Sequence, residues 1–525
     1  MSFSRKNPTK TASWKKLSEH YEHLKQIHLY DMFADNPERE TQMSTVFGDF
    51  FVNFSKNRWT SETIKLFSDL AIELGVKESI SLFFKENKLN FTENRAVLHT
   101  ALRSSEAEII VNGENIIPQI KSVNEKIQKF TEKIISGTQK GYTGKAFTDI
   151  VNVGIGGSSL GPKIVCNALK HYKNHLNTHY VSNIDGDELE ETLQLVNPET
   201  TLFVIVSKSF TTSETLQNAN SIKSWFLKQA PSSAIKQHFI AVSANSNKVI
   251  DFGIDSANIF PMWDWVGGRF SLWSAVGISV ALSIGYDNFC ALLKGAEKID
   301  THFKSASFSE NIPVLMAFTS VWYSNFFSTT QHAIIPYSYY LEDFVPYLKQ
   351  GFMESNGKCV DRNGEAITYK TGSVIFGGVG SNAQHAFMQL FHQGTSLVST
   401  DFIGFCNSLH GVTEHQDVLI SNMFAQANAL AFGTKGKEIE NPYKQFKGNS
   451  PSTTMLIKKL TPKNLGSLLA IYEHKIFVEG LLLNINSFDQ FGVELGKELS
   501  RSYINSLKNA SLKDSLEMQF YKNNK

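Results

Sequence analysis

From about residue 118 onward, short apolar runs alternate with amphipathic segments, and this alternation restricts the chain to few folds. Each run has the length of a buried strand, and a stretch with apolar residues at helical spacing follows it. Strands and helices that alternate at this spacing predict a parallel sheet with helices on both faces. The apolar runs of this first set are FTDIVNVG, THYVSN, TLFVIVS and HFIAVSA.

A second set of runs follows a long predicted helical region at residues 271–330. Its candidate strands are IIPYS, SVIFGGVGS and SLVSTDFIGF, again separated by predicted helices. The N-terminal part is predicted to be helical apart from one extended patch at 48–57, and the C-terminal third is predicted to be helical. We therefore expect an α/β protein with two αβα domains, at 118–285 and 286–525, preceded by a helical segment at 1–117.

The charge balance argues against a polyanionic partner. The chain has 51 Lys and Arg against 50 Asp and Glu, so its net charge of +1 offers no global basic field to nucleic acid or a membrane surface. Its four cysteines form no CxxC pair and suit no zinc site, which favours a reducing compartment. The N-terminus lacks an apolar signal core and no apolar stretch reaches the roughly 20 residues that span a bilayer, so we expect a cytoplasmic protein.

A polar turn follows the third apolar run of the first set. Residues 207–215 read SKSFTTSET, with six hydroxyl side chains and one lysine in nine positions. Ligands bind beyond the carboxyl ends of parallel strands. Thr211 and Glu214 have the spacing of a capping box, which would start a helix there and direct free N–H groups into the turn. The turn is therefore a candidate site for a phosphate dianion, and a solvated turn with a helix cap is the alternative.

A glycine-rich turn follows the first apolar run. The stretch VNVGIGGSSLGP places Gly154, Gly156 and Gly157 where the backbone can approach a ligand closely. No Gly-Lys-Ser/Thr follows, so this is not a P-loop, and Ser159 stands at the last position of a G-x-G-x-x-G fingerprint. A nucleoside triphosphate or a dinucleotide is therefore disfavoured. Two hydroxyl-bearing turns at neighbouring strand ends would fit one phosphomonoester.

Three further stretches place polar side chains in unusual surroundings. FPMWDWVGGRFSLWS carries Arg269 after two glycines among aromatic residues, where a packing loop is the ordinary interpretation. KQGFMESNGK carries Glu354 among small polar residues, where a turn is the ordinary interpretation. GSNAQHAFMQLFHQGT spaces His385, Gln389 and His392 on one helical face, where core or capping histidines are usual and no other type of metal ligand is close by.

Taken in order along the chain, these stretches resemble the glucose-6-phosphate isomerase family, also called the phosphoglucose isomerase family. The resemblance extends over roughly residues 14–510, and VGGRFSLWS and FGVELGK are long enough to be highly specific. It implies two three-layer αβα domains of the sugar isomerase (SIS-like) type with parallel sheets, N- and C-terminal helical segments, and a homodimer. The matching stretches are VNVGIGGSSLGP, SKSFTTSETLQNA, FPMWDWVGGRFSLWSAVG, FMESNGK, GSNAQHAFMQLFHQGT, SFDQFGVELGK, NFSKN and NFTENRAVLHTALR.

The resemblance implies an isomerisation of glucose 6-phosphate to fructose 6-phosphate that needs neither metal nor cofactor, as in glycolysis and gluconeogenesis. Glu354 matches the base that moves a proton between C2 and C1. An unperturbed carboxylate is a weak base for a carbon acid, so either its surroundings must raise its pKa or the intermediate must be strongly stabilised. Arg269 matches the cation that faces the developing cis-enediolate. His385, with Lys497 nearby, matches the group that opens the sugar ring, and in family dimers the histidine reaches into the partner's site.

The resemblance also implies which residues hold the substrate. Hydrogen bonds to a charged group are worth about 1.5–3 kcal/mol each, so several of them can anchor a small sugar phosphate. In the family the contact at the Lys208 position is largely through the backbone, and Glu214 is expected to bond to the histidine and the turn. The implied substrate-binding residues are Gly157, Ser158, Ser207, Lys208, Ser209, Thr212, Gln350 and Gln490.

The departures from the family pattern leave the implied catalytic groups in place. They are Ser159 for an aspartate, Ser209 for a threonine, Phe270 for a tyrosine and Phe491 for a tryptophan. A non-catalytic sugar-phosphate sensor is one alternative, and the retained acid–base set argues against it. A mannose-phosphate isomerase or a dual-specificity enzyme is another, and the sequence leaves it open.

Overall fold

The computed structural model describes residues 3–85, 88–508 and 515–525. The chain divides into two compact units, Met1–Ser487 and Phe488–Lys525. No helix of the described residues is both long and apolar enough to cross a membrane. The expected domain boundaries after residues 117 and 285 stay a prediction.

The first unit contains a five-stranded parallel sheet, a six-stranded mixed sheet, a two-stranded hairpin and the helices that cover them. Its strands are β1 (Ser44–Phe47), β2 (Phe50–Asn53), β3 (Ile110–Val111), β4 (Glu114–Asn115), β5 (Asp149–Val153), β6 (Asn177–Val181), β7 (Thr201–Val206), β8 (Phe239–Ser243), β9 (Ile259–Pro261), β10 (Gln331–Tyr337), β11 (Val374–Gly377), β12 (Ser399–Asn407) and β13 (Ser452–Lys459).

The α-helices of the first unit lie before, between and after these strands. They are α1 (Ala12–Leu24), α2 (Leu29–Asp35), α3 (Arg39–Gln42), α4 (Ser61–Glu73), α5 (Val76–Phe83), α6 (Ile117–Ile135), α7 (Gly157–Ala168), α8 (Gly186–Gln194), α9 (Ser213–Phe226), α10 (Ile235–His238), α11 (Ser246–Phe252), α12 (Ile278–Ile284), α13 (Tyr286–Ser305), α14 (Ile312–Asn325), α15 (Phe344–Lys349), α16 (Asn382–Ala386), α17 (Met388–Gln393), α18 (Thr413–Phe432) and α19 (Pro462–Leu482). The second unit contains α20 (Glu494–Lys508) and α21 (Leu516–Asn523).

The first sheet has the strand order β6-β5-β7-β8-β9, and all neighbouring strands are parallel. Every residue of β5, β7 and β8 is buried, as continuous apolar strands covered on both faces require. Leu189 of α8, Phe226 of α9 and Val249 of α11 pack on one face, while α7 and α12 contact the other. The strands predicted from the four apolar runs are confirmed, and β9 extends the edge beyond them.

The second sheet has the order β1-β2-β13-β12-β10-β11. Its last four strands are parallel, but β2 pairs antiparallel with both β1 and β13. The predicted strands IIPYS, SVIFGGVGS and SLVSTDFIGF are confirmed as β10, β11 and β12. The expected all-helical character of the C-terminal third is wrong at β13, and the extended patch at 48–57 is half of a hairpin. Three of the first four residues of β13 carry hydroxyls, which hid its apolar run.

Helix α19 forms the centre of the first unit and packs against α13 and α14. Every residue from Asn464 to Leu482 is buried. Such a helix is expected to be apolar on all sides, yet α19 carries Glu473, Lys475 and Glu479. Buried charges must be paired, so these side chains determine what packs around the helix.

Candidate active site

The order of the first sheet locates a crevice. The chain runs from β5 outward to β6 on one side and returns to β7 on the other side. The connections that leave β5 and β7 therefore diverge, which opens a crevice at their carboxyl ends, where ligands of such sheets bind. The glycine-rich turn follows β5 and the hydroxyl-rich turn follows β7. The two turns meet there, because a Cβ added at Gly154 would lie 3.1 Å from the carbonyl oxygen of Val206.

The glycine-rich turn has a backbone that other residues could not adopt without strain. Gly156 has φ +60° and caps α7. Gly157 is the first residue of α7, and a Cβ there would lie 2.0 Å from the carbonyl oxygen of Gly268 and 2.7 Å from the amide nitrogen of Arg269. Gly157 therefore brings the start of α7 against the backbone that presents Arg269. Ser158 follows in the first turn of this helix and is partly exposed.

The hydroxyl-rich turn differs from its predicted form. The N-cap of α9 is Thr212, and its side chain makes no capping hydrogen bond. The predicted capping box of Thr211 and Glu214 is therefore wrong. The hydroxyl of Thr212 instead accepts from the buried Ser207 Oγ at 3.3 Å, and the Glu214 carboxylate accepts from its neighbour Ser213.

Other hydroxyls of this turn lie close together. Ser209 Oγ and Thr211 Oγ1 are 2.5 Å apart, and Phe210 between them has φ +50°. A surface pocket of about 610 Å³ borders the turn on the side of residues 244–248. The hydroxyls are thus held in a fixed arrangement at the end of β7.

The ammonium group of Lys208 connects this turn to a neighbouring loop. Its Nζ donates to the carbonyl oxygens of Asp264 at 2.8 Å and Val266 at 2.9 Å. Burial lowers the pKa of Lys208 to about 8. The same loop continues into Arg269, so Lys208 ties the hydroxyl-rich turn to the segment that carries the arginine.

Arg269 lies in a short 3₁₀ helix, Gly268–Trp273, and its guanidinium is buried. Nε donates to Ser355 Oγ at 2.7 Å and Nη2 donates to the carbonyl oxygen of Ser487 at 2.6 Å. Nη1 lies 3.6 Å from Oε1 of Glu354, whose side chain is 20% exposed. The structure therefore places a buried cation beside a carboxylate that solvent can reach.

Glu354 lies in a helix and not in the turn that its neighbours indicate. It ends a π-helical segment, Gln350–Glu354, that continues α15. Such segments recur at functional sites. At its other end a Cβ added at Gly156 would lie 3.1 Å from Nε2 of Gln350, so the Gln350 amide adjoins the glycine-rich turn. One short segment thus places a carboxylate beside Arg269 and an amide beside the first turn.

A buried ionic cluster contacts the 3₁₀ helix that carries Arg269 through the side chain of Trp273. Trp273 Nε1 donates to Glu473 at 2.7 Å, and Arg103 bonds to both Glu473 and Asp300. The guanidinium of Arg103 also lies 4.5 Å from the centre of a Trp273 ring. The pKa of Asp300 is lowered to about 2 by Arg103 and His474, against the effect of its burial. This pairing accommodates the charge of Glu473 on α19 and fixes one side of the site.

The histidine segment is not the single helix that its spacing predicts. α16 ends at Ala386 and α17 begins at Met388, because Phe387 leaves the helical conformation at φ −143°. His385 is exposed, whereas His392 bonds to Gln426 at 2.9 Å. In the described part of the chain, no group of three or more His, Cys, Asp or Glu side chains could hold a metal ion.

Gln490 and Lys497 belong to the second unit. Gln490 precedes the 3₁₀ helix Phe491–Val493 and is partly buried. Lys497 lies in the first turn of α20 and is exposed.

Four polar residues that bond to Arg269, or to the residues that hold it, were not predicted from the sequence. They are Ser355, Asn356, Glu479 and Ser487, all buried. Burial raises the pKa of Glu479. A signal for them was present, because FMESNGK continues past the glutamate with small polar residues and YEHKIFVEG places charges inside an apolar helix.

Comparisons with known proteins agree along nearly the whole chain. A model of the family described as phosphoglucose isomerase matches residues 53–519. A curated glucose-6-phosphate isomerase from Christiangramia forsetii is 54% identical over 515 residues, 95% of this chain and 95% of that protein. The crystal structure of a glucose-6-phosphate isomerase from Chlamydia trachomatis is similar with a TM-score of 0.87 and 33% identity, covering 96% of this chain and 97% of that one. A hypothetical protein from Thermus thermophilus shares the fold, with a TM-score of 0.67 and 22% identity over 84% of this chain and 96% of its own.

Proposed function

The chain belongs to the phosphoglucose isomerase family, and from this premise we propose that it catalyses the reversible isomerisation of D-glucose 6-phosphate to D-fructose 6-phosphate. The observation that carries the proposal is the 3.6 Å approach of Glu354 to the buried guanidinium of Arg269. Substrate and product have the same composition, so the reaction needs a base and a fixed charge but no co-reactant. The retention of both groups favours an enzyme over a sugar-phosphate sensor.

The two strand-end turns hold the phosphate in this proposal. Ser207, Ser209 and Thr212 supply hydroxyls from one turn, and Gly157 and Ser158 supply backbone and hydroxyl donors from the other. The start of α7 adds the positive end of a helix dipole, which favours a dianion. The Lys208 ammonium is engaged with two carbonyl groups, which supports a backbone contact at this position. Gln350 and Gln490 bind sugar hydroxyls and the phosphate end.

Proton transfer between C2 and C1 is assigned to Glu354. Its carboxylate removes the C2 proton of the open-chain aldose, and the electron pair moves onto the C1 carbonyl oxygen to give a cis-enediolate. The proton of the C2 hydroxyl then passes to the oxygen on C1, and the same carboxyl returns the carbon-bound proton to C1, which leaves C2 as the ketone. Arg269 stabilises the negative charge of the intermediate, and because Ser355 and Ser487 already hold its guanidinium, little reorganisation is needed at the moment of reaction.

Ring opening is assigned to His385, and a supporting role in this step to Lys497. His385 is exposed on its own chain, and we place it in the site of a second copy in a homodimer. A mixture of two inactive variants tests this arrangement. A heterodimer of Glu354→Gln and His385→Ala chains contains one site with an intact glutamate and an intact histidine, so mixing should restore activity if the histidine acts across the interface. Continued inactivity of verified heterodimers would place the histidine in its own chain's site.

A coupled assay with fructose 6-phosphate and mannose 6-phosphate in parallel tests the activity and its specificity. Turnover of fructose 6-phosphate to glucose 6-phosphate is expected. Turnover of mannose 6-phosphate alone would overturn the assignment, and turnover of both would identify a dual-specificity enzyme. We place the reaction in glycolysis and gluconeogenesis in the cytoplasm, which the four free cysteines, all in the described residues, support.

A further inference from the structure

We infer that Asn356 and Ser487 are positioning residues that hold the guanidinium of Arg269 at the place where the enediolate charge develops, an inference that rests on the proposed function. Neither residue carries a group that the chemistry requires, and both are buried. Their roles follow from a continuous series of hydrogen bonds that leads from α19 to the arginine.

Asn356 is the centre of this series. Its Nδ2 donates to the carbonyl oxygen of Ile476 at 3.0 Å and to Oε2 of Glu479 at 3.1 Å, both on α19. Its Oδ1 accepts from Ser487 Oγ at 2.7 Å. A side-chain amide can donate twice and accept on the same plane, so Asn356 has one orientation that satisfies all three partners. Glu354 lies two residues earlier in the chain, so the segment that bears the base is fixed to α19 by the same amide.

Ser487 transmits this orientation to Arg269. Its hydroxyl is held by Asn356, and its carbonyl oxygen accepts from Arg269 Nη2 at 2.6 Å. Gly480 of α19 provides the space, because a Cβ there would lie 1.9 Å from Ser487 Oγ. The neighbour of Asn356, Ser355, accepts from Arg269 Nε at 2.7 Å. Two donor groups of the guanidinium are thus held next to Asn356. Nη2 is held by Ser487, which bonds to Asn356, and Nε is held by Ser355, which precedes Asn356 in the chain.

The arrangement predicts a loss that is specific to the transition state. A guanidinium that is released from Ser487 remains charged and remains in the site, so substrate binding through the phosphate changes little. Stabilisation of the enediolate depends on the direction of the N–H groups, because such donors act in proportion to their preorganisation. The expected signature is therefore a fall in kcat with little change in KM.

Ser487→Ala is the decisive variant, because it removes the hydroxyl and keeps the carbonyl group. We expect kcat to fall about tenfold with KM for fructose 6-phosphate within about twofold. Binding of a five-carbon aldonate 5-phosphate, whose carboxylate imitates the enediolate, should weaken about tenfold, whereas fructose 6-phosphate binding does not. Asn356→Ala removes the whole connection and should lower kcat further.

Ser467→Ala is the matched control. Ser467, which lies on α19, is buried like Ser487, and its hydroxyl donates to the carbonyl oxygen of Gly295 at 2.7 Å. Its removal should lower the urea midpoint of unfolding by about as much as Ser487→Ala does, because each variant loses one buried hydrogen bond, and should leave kcat unchanged. A general loosening of the core would instead affect both variants equally.

The outcomes separate the inference from the function on which it rests. An inactive wild-type enzyme with both sugar phosphates would remove the proposed function. An active wild type with unchanged kcat in Ser487→Ala would overturn the inference and leave the function intact. Should Asn356→Ala fail to fold, Ser487→Ala still decides, and equal losses of kcat in Ser487→Ala and Ser467→Ala would also count against it.

Discussion

Nη1 of Arg269 lies 3.6 Å from Oε1 of Glu354, close enough for a strong electrostatic interaction and too far for a hydrogen bond. Nε and Nη2 of the same guanidinium donate to Ser355 and Ser487. The arginine therefore does not form a bidentate, hydrogen-bonded ion pair with the carboxylate, as structural ion pairs often do. A carboxylate in this position keeps lone pairs that can accept a substrate proton, while the cation stays fixed beside it.

Replacement of Glu354 by glutamine should remove the base and keep the shape of the site. We expect kcat to fall by about 10³-fold or more, because general base catalysis contributes roughly 10²–10⁴-fold. Binding of glucose 6-phosphate, measured by calorimetry, should stay within about threefold of the wild type. Glu365→Gln, at an exposed position in the same region, is the control. Retained turnover in Glu354→Gln would refute the assignment of the base.

Chelation of metal ions should leave the activity unchanged. In the proposed mechanism, Arg269 supplies the positive charge that other ketol isomerases obtain from a divalent cation. The assay adds EDTA to the enzyme, with a coupling dehydrogenase that needs no metal, and compares kcat before and after. Marked inhibition that an added divalent metal reverses would contradict the role given to Arg269.

The first sheet could be predicted because its strands carry a local signal. Residues 201–206 read TLFVIV and are buried throughout, and a continuous apolar run between two helical patterns has few other interpretations. β13 reads STTMLIKK, with hydroxyl residues at its start and two lysines at its end. Its place in the sheet depends on pairing with β12 and β2. Such contacts join residues far apart in the chain, and no local pattern records them.

The candidate site divides in the same way. The turns after β5 and β7 could be predicted, because glycine and hydroxyl residues at strand ends have a local meaning. Two features could not be predicted, because spacing alone indicates an unbroken helix and an ordinary helix cap. They are the helix break at Phe387 and the hydrogen bond from Ser207 to Thr212. The buried partners of Arg269 come from Ser355 and Ser487, more than 80 and 200 residues away in the chain.

Gly157→Ala should damage the site through its backbone. The added Cβ would lie 2.0 Å from the carbonyl oxygen of Gly268, so the segment before Arg269 must shift. A displacement of about 1 Å at a catalytic group costs about 10²-fold in rate, and we expect that loss in kcat/KM. Gly186→Ala is the matched control, because Gly186 is also the first residue of a helix and a Cβ there meets nothing within 4 Å. Full activity in Gly157→Ala would show that the close approach is not needed.

Lys208→Met should affect stability more than substrate affinity. The variant leaves the carbonyl oxygens of Asp264 and Val266 without their ammonium donor. Losing such partners costs about 1–3 kcal/mol, which urea unfolding can measure. Lys248→Met removes an exposed lysine from the surface pocket that borders the hydroxyl-rich turn, and it should leave the free energy of unfolding unchanged. If the ammonium bound the phosphate, KM would rise steeply in Lys208→Met with the unfolding curve unaltered.

His302 should make the protein less stable as the pH falls from 6.5 towards 4. Its Nε2 accepts from the amide of Ile312 at 3.1 Å, at the start of α14, and its ring lies 4.3 Å from that of Phe47. Burial lowers the pKa of His302 to about 4; His474 adds to this effect and Glu310 opposes it. Between the two pKa values the unfolded chain binds a proton that the folded chain does not. The free energy of unfolding therefore decreases by about 1.4 kcal/mol per pH unit from this group.

His302→Gln tests this dependence, because the glutamine Oε1 can still accept from Ile312 and does not titrate. Urea unfolding at pH 7.5, 6.5, 5.5 and 4.5 gives the difference in stability between the wild type and the variant. Buried histidines that do not interact with His302 titrate alike in both proteins, so their contributions cancel in that difference. The difference in the free energy of unfolding should stay constant above pH 6.5. Below pH 6.5 the variant should gain about 1.4 kcal/mol per pH unit relative to the wild type. His415→Gln removes an exposed histidine as the control. Parallel stability curves for the wild type and His302→Gln would show that His302 takes up its proton equally in the folded and unfolded chains.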